Sequence, residues 1–509
     1  MNYIIGIDAG TTNVKAVLFD TMGRELSVKN LENEPIYIGD VEVEQNMNLL
    51  WDKVAVCIKS LMEDGPAKKE EILGIGVTAQ GEGIWLIDEA GEPVQNAILW
   101  CDGRATKEVD YVTQQNKELG KMIHRITGTP PLTGTQLMLL LWMKREKKEV
   151  LDRAAHMLFC KDWVKYKLTG ILSGDFSDTG TSLMDSRNGV IATELFQSLG
   201  LEKYIDYIPK VYKSDEIIGG VTKKMAEFLG LKEGTPVVSG AIDVVASAVG
   251  IGVHNENEAC VVLGTTCANE MFVPKEACHF GESGTRYEKY AVDDLFMNLM
   301  ATMNGTPNID WVIQEIAMTN DFSKIETLIS DVPVGSGGVI YHPYISAAGE
   351  RSPFYNPYAK ANFFGISAKT GRAELTHAVY EGVTLSIKDC FVQAKLNRNS
   401  KIYLAGGGAK SAIWAQMISD ALGVQVIISA GNELGAKGAA IMLGIAVGEY
   451  KNYVDASRKC CNAVKIYLPD PEKTKKYDAL YEMYREIREA NHSIWYQREK
   501  FLKTFSKIQ

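Results

Sequence analysis

The residues best suited to chemistry near the start of the chain are an acid, a glycine and two hydroxyls, in the stretch Asp8-Ala9-Gly10-Thr11-Thr12. Apolar runs at residues 3–7 and 14–19 flank this stretch, and their composition predicts two strands joined as a hairpin. Glycine leaves the backbone accessible, so the hairpin tip can offer N–H groups and hydroxyls to phosphate oxygens. Asp8 could hold the Mg²⁺ that accompanies a nucleotide. The alternative is an ordinary tight hairpin with a polar tip.

A second stretch repeats this pattern in the other half of the chain. Residues 260–272 read as an apolar strand, a Gly-Thr-Thr turn at residues 264–266, and another strand. Two such hairpins resemble the phosphate motifs of the actin-like, hexokinase-like ATPase superfamily. The first hairpin is similar to the first phosphate motif of that superfamily, and residues 264–269 are similar to the second.

Length and composition exclude several classes of protein. A chain of 509 residues is long enough for two large domains, and 46% hydrophobic with 23% charged residues is typical of globular proteins. The net charge of −10 disfavours partners such as nucleic acid or an anionic membrane surface. Nine cysteines without CxxC spacing indicate reduced thiols and a cytoplasmic protein. We expect neither a signal peptide nor a membrane helix.

Several long motifs, in order, resemble the FGGY family of carbohydrate kinases over nearly the whole chain. Residues 97–105, AILWCDGRA, are similar to a substrate-side stretch of xylulose kinases, and residues 161–185 match another family block. Residues 361–381 fit the C-terminal signature of the family, and residues 406–414 match its adenine-side motif. The AQGEG stretch at residues 79–83 also resembles L-xylulose and erythritol kinases.

The resemblance implies an α/β protein with the two-domain actin-like, or ribonuclease H-like, ATPase fold and an active site in the interdomain cleft. We predict an N-terminal FGGY-type domain at 1–253, which carries the sugar site and the catalytic base. A C-terminal FGGY-type domain at 254–509 would bind ATP and end in a helix at residues 477–505. The boundary follows a strand, a small-residue turn and a helix predicted within residues 236–252.

Asp243 is the candidate catalytic base. It lies at a predicted strand-to-helix turn among small residues, where a carboxylate can reach a substrate hydroxyl. The residues alone favour a simpler reading, in which Asp243 is the N-cap of the helix that follows. The resemblance reverses this preference, because the catalytic aspartate of these kinases occupies this position.

The predicted substrate-binding residues end apolar strands in the N-terminal half, and they are Gly81, Glu82, Asp102 and Asp243. Glu82 falls where glycerol kinases have a glutamate that binds substrate hydroxyls. Asp102 has a structural alternative, because Arg104 could pair with it. For the tryptophans Trp85 and Trp100 we expect packing in the core.

The resemblance also implies the cofactors, ATP and Mg²⁺. Asp8 is the predicted metal ligand. The predicted ATP-binding residues are Thr11, Thr12, Asn13, Lys15, Gly264, Thr265, Thr266, Gly407, Gly408 and Ala409. The glycine run 406–408 would let the backbone lie against a flat base, although a plain loop before a helix would look the same.

The predicted activity is transfer of the γ-phosphoryl group of ATP to a hydroxyl of a xylulose-like pentulose. Phosphorylation of a small sugar alcohol, erythritol or glycerol, is the alternative within the family. A third reading, from a different class, is a nucleotide-dependent binding protein that transfers nothing. The expected partners are the sugar or polyol and ATP, with neither nucleic acid nor membrane, and a homodimer is possible.

Overall fold

Apolar runs at the start of the chain form the middle of a six-stranded sheet. In spatial order its strands are Ile217–Gly220, Pro236–Val238, Ile72–Ala79, Tyr3–Ala9, Asn13–Asp20 and Glu25–Glu32. The predicted first hairpin is confirmed, since Tyr3–Ala9 pairs antiparallel with Asn13–Asp20. Every side chain of Ile72–Ala79 except that of Leu73 is buried, which explains why this strand reads as an apolar run without alternation.

The structure, a computed structural model, describes residues 2–282, 284–319 and 321–505. It divides into two compact units. The first contains Met1–Asn255, Val273–Met297 and Ala430–Asn462, and the second contains Glu256–Phe272, Asn298–Ser429 and Ala463–Gln509. The first change of unit thus falls after Asn255, and two later segments belong with the N-terminal part. The division of the chain into FGGY-type domains at 1–253 and 254–509 remains a prediction from the sequence.

Glycines let a late helix of the first unit lie directly on its sheet. Gly6 and Gly76 are register partners on neighbouring strands. A Cβ at Gly6 would lie 2.1 Å from the carbonyl oxygen of Ala436, and a Cβ at Gly76 would lie 2.0 Å from that of Ala439. The helix Leu434–Ala446 therefore approaches the two central strands closer than any side chain would permit.

The first unit contains further helices and short strands. The predicted helix at residues 47–62 is confirmed, as Met47–Asp64, with Asn46 as its N-cap accepting from the Leu49 N–H. The described α-helices of the unit are Met47–Asp64, Thr106–Asp110, Lys117–Thr127, Gln136–Glu146, Lys148–Leu151, Cys160–Thr169, Phe176–Thr179, Thr193–Ser198, Lys223–Leu229, Asp243–Ile251, Leu434–Ala446 and Tyr453–Cys460. Its short strands outside the main sheet are Ile36–Ile38, Glu42–Gln45, Trp85–Ile87, Ala97–Ile98, His156–Leu158, Gly174–Asp175, Met184–Asp185, Val190–Ile191 and Val211–Tyr212.

The second unit is built around its own sheet. The strands Cys267–Pro274, Glu258–Leu263, Lys401–Gly406, Gln425–Ser429 and Ala463–Tyr467 are neighbours in that order, and Leu295–Thr302 follows on the outer side of the first of them. The second predicted hairpin is confirmed by the antiparallel pair Glu258–Leu263 and Cys267–Pro274. The described α-helices are Pro307–Val312, Phe322–Ile329, Arg372–Gln393, Ala412–Leu422 and Pro471–Phe505, and a small sheet joins Ile340–His342 to Asn362–Phe364.

Among the described residues, the helices are all too short or too polar to cross a membrane. The nine cysteines are free thiols, as their spacing predicts.

We expect the substitution Gly438→Ala to lower the stability of the first unit. A Cβ at Gly438 would lie 1.8 Å from the carbonyl oxygen of Ala246, in the helix Asp243–Ile251, and backbone cannot move aside as a flexible side chain can. Overpacking of this kind costs about 1–3 kcal/mol of unfolding free energy, measurable by urea unfolding followed by circular dichroism. Gly407→Ala is the control, because a Cβ there meets nothing within 4 Å. A Gly438→Ala protein as stable as the wild type would show that the helices are not in contact.

Candidate active site

Three parallel strand ends of the first unit meet at one edge of its sheet. Ala9 lies opposite Ala79 in the parallel pair of Tyr3–Ala9 and Ile72–Ala79. Residues 236–238 run parallel to the same central strand, and Ala79 forms a parallel bridge with Ile242. The side chains of Asp8, Glu82 and Asp243 therefore follow neighbouring strand ends. This edge is where α/β sheets bind ligands.

Burial raises the pKa of both Asp8 and Asp243 at this edge. Removal from water raises the pKa of Asp8 to about 6, while Lys15 lowers it and Glu433 raises it. Removal from water also raises the pKa of Asp243 to about 7, and the charge of Asp8 adds to that rise. A carboxyl group with a pKa near 7 is well matched to accept a proton at neutral pH.

The structure decides against Asp243 as an N-cap. The N-cap residue is Ile242, and Asp243 is the first residue of the helix Asp243–Ile251. Its Oδ1 accepts a hydrogen bond of 2.8 Å from the Val244 N–H, and the residue is only partly buried. The partial exposure of Asp243 leaves its carboxylate accessible to a substrate.

Glu82 has a backbone conformation that is rare for a residue with a side chain. Its φ of 55° lies in the left-handed region, and its N–H donates to Asp178 Oδ1 at 3.0 Å. Its carboxylate is 2.9 Å from the guanidinium of Arg286, which donates to Glu82 Oε1. Burial raises the pKa of Glu82, although Arg286 opposes the rise. The turn thus fixes a nearly buried carboxylate at the edge.

Gly81 lies at a point of close packing in the same turn. A Cβ there would be 1.9 Å from Ile242 Cδ1 and 3.1 Å from Asp178 Oδ1. Gly81 therefore lets the Glu82 turn lie against the strand end that leads to Asp243.

A cluster of five buried charges lies beneath these turns, and none of its side chains is exposed: Lys161, Asp162, Lys165, Asp175 and Asp178. Lys161 Nζ is 2.6 Å from Asp178 Oδ2 and 2.9 Å from Asp175 Oδ2. Burial alone would lower the pKa of Lys161, but its three acidic neighbours outweigh that effect and raise it. The three acids therefore favour the charged form of Lys161 inside the protein.

The buried cluster holds both active-site turns. Asp178 accepts from the Glu82 N–H, as described above. Asp175 Oδ1 accepts from the Ser177 hydroxyl at 2.6 Å, and Ser177 Oγ in turn accepts from the Ile242 N–H at 2.9 Å. The backbone just before the candidate base, at Ile242, and the backbone of Glu82, the candidate sugar acceptor, are thus tied to one set of ions.

The predicted phosphate residues of the first hairpin have mixed surroundings. The turn is closed by a hydrogen bond from the Gly10 N–H to the Asn13 carbonyl. Thr12 is exposed and accepts from Asn13 Nδ2 at 3.2 Å, whereas the Thr11 hydroxyl donates to Gln80 Oε1 at 2.8 Å. Lys15 forms a 2.6 Å ion pair with Glu433. That pairing gives Lys15 a structural role besides the predicted contact with phosphate.

Both oxygens of the Asp102 carboxylate accept hydrogen bonds from protein donors. Its Oδ1 accepts from the Arg104 N–H at 2.8 Å, and its Oδ2 accepts from the Val43 N–H at 2.6 Å. The Arg104 guanidinium contacts both oxygens, and the Asp102 side chain is completely buried. The structural alternative, pairing with Arg104, explains Asp102 better than contact with a substrate hydroxyl.

The two tryptophans differ in their environments. Trp85 is completely buried, as predicted. The prediction for Trp100 is wrong, since 46% of it is exposed and its indole Nε1 donates to Thr11 Oγ1 at 3.0 Å. Its amphipathic ring therefore lies beside the first phosphate hairpin, where it can meet a ligand.

In the second unit, the two predicted nucleotide loops follow neighbouring parallel strands. Leu263 lies opposite Gly406, so the turn at residues 264–266 and the loop at residues 407–409 begin side by side. Thr265 and Thr266 are exposed, and the backbone at Gly407 faces open space. The unit therefore offers exposed hydroxyls and a bare backbone at one edge of its sheet.

Comparison with known proteins agrees with this geometry. The sequence profile of the FGGY family of carbohydrate kinases, N-terminal domain, matches residues 3–250, and that of the C-terminal domain matches residues 259–447. An erythritol kinase from Brucella abortus is 30% identical over 506 residues, which cover 97% of each chain. The chain belongs to the FGGY family of carbohydrate kinases. It is thus an enzyme that transfers a phosphoryl group from ATP to an alcohol group of a carbohydrate.

Two further proteins define the range of this FGGY kinase's relatives. An L-xylulose/3-keto-L-gulonate kinase from Escherichia coli is 29% identical, covering 95% of this chain and 96% of its own. The crystal structure of a gluconate kinase from Lactobacillus acidophilus superposes with a TM-score of 0.87 at 24% identity, covering 97% of this chain and 99% of the other. The structural likeness confirms the predicted two-domain sugar-kinase fold.

Some residues of this FGGY kinase site are missed by sequence reasoning. Arg286 carries no motif, yet it reaches Glu82 from 204 positions away. Lys161 and Asp178 lie within residues 161–185, which resemble a stretch of the family, but the resemblance does not indicate that they form a buried ion cluster. The sequence offers one signal for Arg286. In Arg286-Tyr287-Glu288 the arginine and the glutamate are two residues apart, so on an extended chain they face the same side and can pair.

We expect Asp178→Ala to destabilise the first unit strongly. The substitution leaves the buried Lys161 with one close acid fewer and the Glu82 N–H without its acceptor, and breaking a buried pair costs about 3–5 kcal/mol. Asp152→Ala is the matched control, because Asp152 pairs with Lys148 and Lys203 on the surface, where ion pairs contribute little. Urea unfolding of both variants gives the comparison. Equal stability of the two would rule out a supporting role for the buried cluster.

Proposed function

We propose that this FGGY kinase transfers the γ-phosphoryl group of ATP to a hydroxyl of a xylulose-like pentulose, with Asp243 as the general base. The observation that carries this proposal is the position of Asp243. It follows the strand end next to Glu82, is partly accessible, and has its pKa raised to about 7. Asp243 accepts the proton of the attacking hydroxyl, so that the hydroxyl oxygen can bond to phosphorus as the bond to ADP breaks.

Glu82 is the proposed acceptor for another hydroxyl of the sugar. It is 7% exposed and held by contacts at both its N–H and its carboxylate. A carboxylate fixed in this way accepts a hydroxyl hydrogen bond without having to be ordered by the substrate, which favours binding. Gly81 contributes by allowing the turn to pack closely.

ATP is the phosphoryl donor in this family, and we assign its binding in the second unit to two loops. The backbone N–H groups at residues 264–266, with the exposed hydroxyls of Thr265 and Thr266, are suited to phosphate oxygens. Gly407, Gly408 and Ala409 present little side chain, so a flat base can lie against their backbone. Thr11, Thr12, Asn13 and Lys15 remain proposed phosphate contacts of the first unit.

Mg²⁺ fits Asp8 as a ligand shared with the nucleotide. Among the residues that the structure covers, three or more His, Cys, Asp or Glu are nowhere grouped so as to hold a metal ion by themselves. Magnesium commonly binds through one or two carboxylates together with substrate phosphates and water. Asp8, whose pKa is raised to about 6 beside a second acid, is a carboxylate that a cation would stabilise. When bound, the ion supplies positive charge against the phosphates.

A small sugar alcohol is the second candidate substrate. The charged Glu82 accepts from hydroxyls of a polyol as readily as from those of a ketose, and the erythritol kinase relative covers the whole chain. We further propose that the enzyme acts in the cytoplasm, without nucleic acid or membrane as partners. These proposals follow from the net charge of −10 and from the cysteines that are all free.

The test is a coupled ADP-release assay over pentuloses, hexuloses, aldonates and tetritol to hexitol alcohols. We expect xylulose-type pentuloses to give the highest kcat/KM. Asp243→Asn should lower kcat by about 10²–10⁴-fold, because the amide keeps the shape but cannot take the proton. Binding of ATP, measured by calorimetry, should be unchanged.

Asp110→Asn is the control for this variant, because Asp110 is exposed at the end of a helix. The control should keep wild-type turnover. Turnover of Asp243→Asn within threefold of the wild type would remove Asp243 from the role of base. A clear preference for erythritol or glycerol would decide for the polyol alternative.

A further inference from the structure

Arg286 lies beside Glu82 but belongs to no motif of the chain. We propose that Arg286 is a substrate-binding residue, which donates hydrogen bonds to hydroxyl oxygens of a neutral sugar or polyol next to the hydroxyl bound by Glu82. This inference rests on the proposed function and extends it to a residue that determines substrate specificity.

The contacts of Arg286 place it between two carboxylates at different depths. Its Nη2 is 2.9 Å from Glu82 Oε1 and 2.6 Å from Glu288 Oε1. The exposed fraction of the side chain is 23% for Arg286, 8% for Glu82 and 0% for Glu288. Glu288 therefore lies beneath the guanidinium as its buried counter-ion, and Arg286 is the member of the group that a ligand can touch.

The backbone on both sides of Arg286 is fixed. The Thr285 carbonyl is 2.9 Å from a ring nitrogen of His124, and the Tyr287 N–H donates to the Gly128 carbonyl at 2.9 Å. Gly128 has a φ of 81°, the left-handed conformation that ends the helix Lys117–Thr127. The guanidinium is thus held in place before any substrate arrives, which lowers the entropy cost of binding.

The candidate base lies within electrostatic range of Arg286. The charge of Asp243 contributes to raising the pKa of Arg286, and both Glu82 and Glu288 contribute to raising that of Asp243. These four groups therefore lie within range of one another at the strand edge. A ligand that touches Arg286 and Glu82 is in position to present a further hydroxyl to Asp243.

The donor and acceptor chemistry selects the ligand. A guanidinium is a planar fork of donors without an acceptor, and a carboxylate only accepts. One hydroxyl of the ligand can donate to Glu82 while the adjacent hydroxyl accepts from Arg286. Glu82 and Arg286 together therefore recognise two adjacent hydroxyls. The three carboxyl groups of Glu82, Glu288 and Asp243 outnumber the single guanidinium of Arg286 in this group. A substrate that carries its own negative charge, such as an aldonate, is therefore disfavoured.

Two variants test the proposal against a control that contacts the same segment. Arg286→Met removes the donors, and Arg286→Lys keeps the charge but not the planar fork. Arg187→Met is the matched control, because the Arg187 guanidinium stacks 4.8 Å over the ring of Phe280, which packs on Tyr287. The control loosens the segment of Arg286 without removing a contact to Glu82.

We expect Arg286→Met to lower kcat/KM for the best sugar of the panel about 10–100-fold, mainly by raising its KM, as the loss of a charged hydrogen bond does. The kcat/KM of Arg286→Lys for the sugar should lie between those of the wild type and Arg286→Met. The KM for ATP should stay within about twofold of the wild-type value in each variant. Among analogues of that sugar that each lack one hydroxyl, the one that lacks the hydroxyl bound by Arg286 should have the same kcat/KM with the wild type and with Arg286→Met. Gluconate should be phosphorylated at least about tenfold less efficiently than the best neutral sugar.

The outcomes separate this inference from the proposed function. A wild type that phosphorylates no sugar or polyol of the panel overturns both. If the wild type is active, equal losses in Arg286→Met and Arg187→Met, or a preference for gluconate, overturn the role of Arg286 alone. Should Arg286→Met fail to fold, Arg286→Lys decides, since an unchanged sugar KM in that variant contradicts recognition by a planar fork.

Discussion

The main cost of the arrangement that makes this site is the removal of carboxylates from water, to which their mutual repulsion adds. Three neighbouring strand ends bring Asp8, Glu82 and Asp243 to one edge, and removal from water raises the pKa of each. The surrounding protein offsets this cost with cations on either side, Lys15 near Asp8 and Arg286 at Glu82. The remaining excess of negative charge is what a magnesium ion and the donors of a neutral sugar would balance.

Small residues decide where the compensating groups can lie. The helix Leu434–Ala446 begins at the edge that carries Asp8, and a Cβ at Gly435 would be 2.7 Å from Asp8 Oδ2. A helix N-terminus is electropositive, so this close approach stabilises the carboxylate. It is possible only because Gly6 and Gly76 present no side chain to the helix. The same glycines therefore serve both the packing and the charge of the site.

Local patterns predicted much of this correctly, and long-range pairing explains what they missed. The two hairpins follow from apolar runs around Gly-Thr-Thr turns. The residues alone favour a helix cap for Asp243, and only the family resemblance singles it out as the candidate base. The partner of Asp102 is only two residues away, but the choice between Arg104 and a sugar depends on burial, which the local sequence does not reveal. Arg286 and Trp100 depend on contacts with Glu82 and Thr11, which are distant in sequence and leave no periodic signal.

The central claim is that Asp243 is poised as a base because shielding from water and the charge of Asp8 raise its pKa. Carbon-13 NMR titration of the aspartate carboxyls, in enzyme without nucleotide or magnesium, tests it directly, with Asp243→Asn supplying the assignment. The account predicts a midpoint for Asp243 of about 7, and a lower midpoint in Asp8→Asn, since the neighbouring charge is gone. A midpoint near the ordinary value of 3.8 that Asp8→Asn does not move would contradict it.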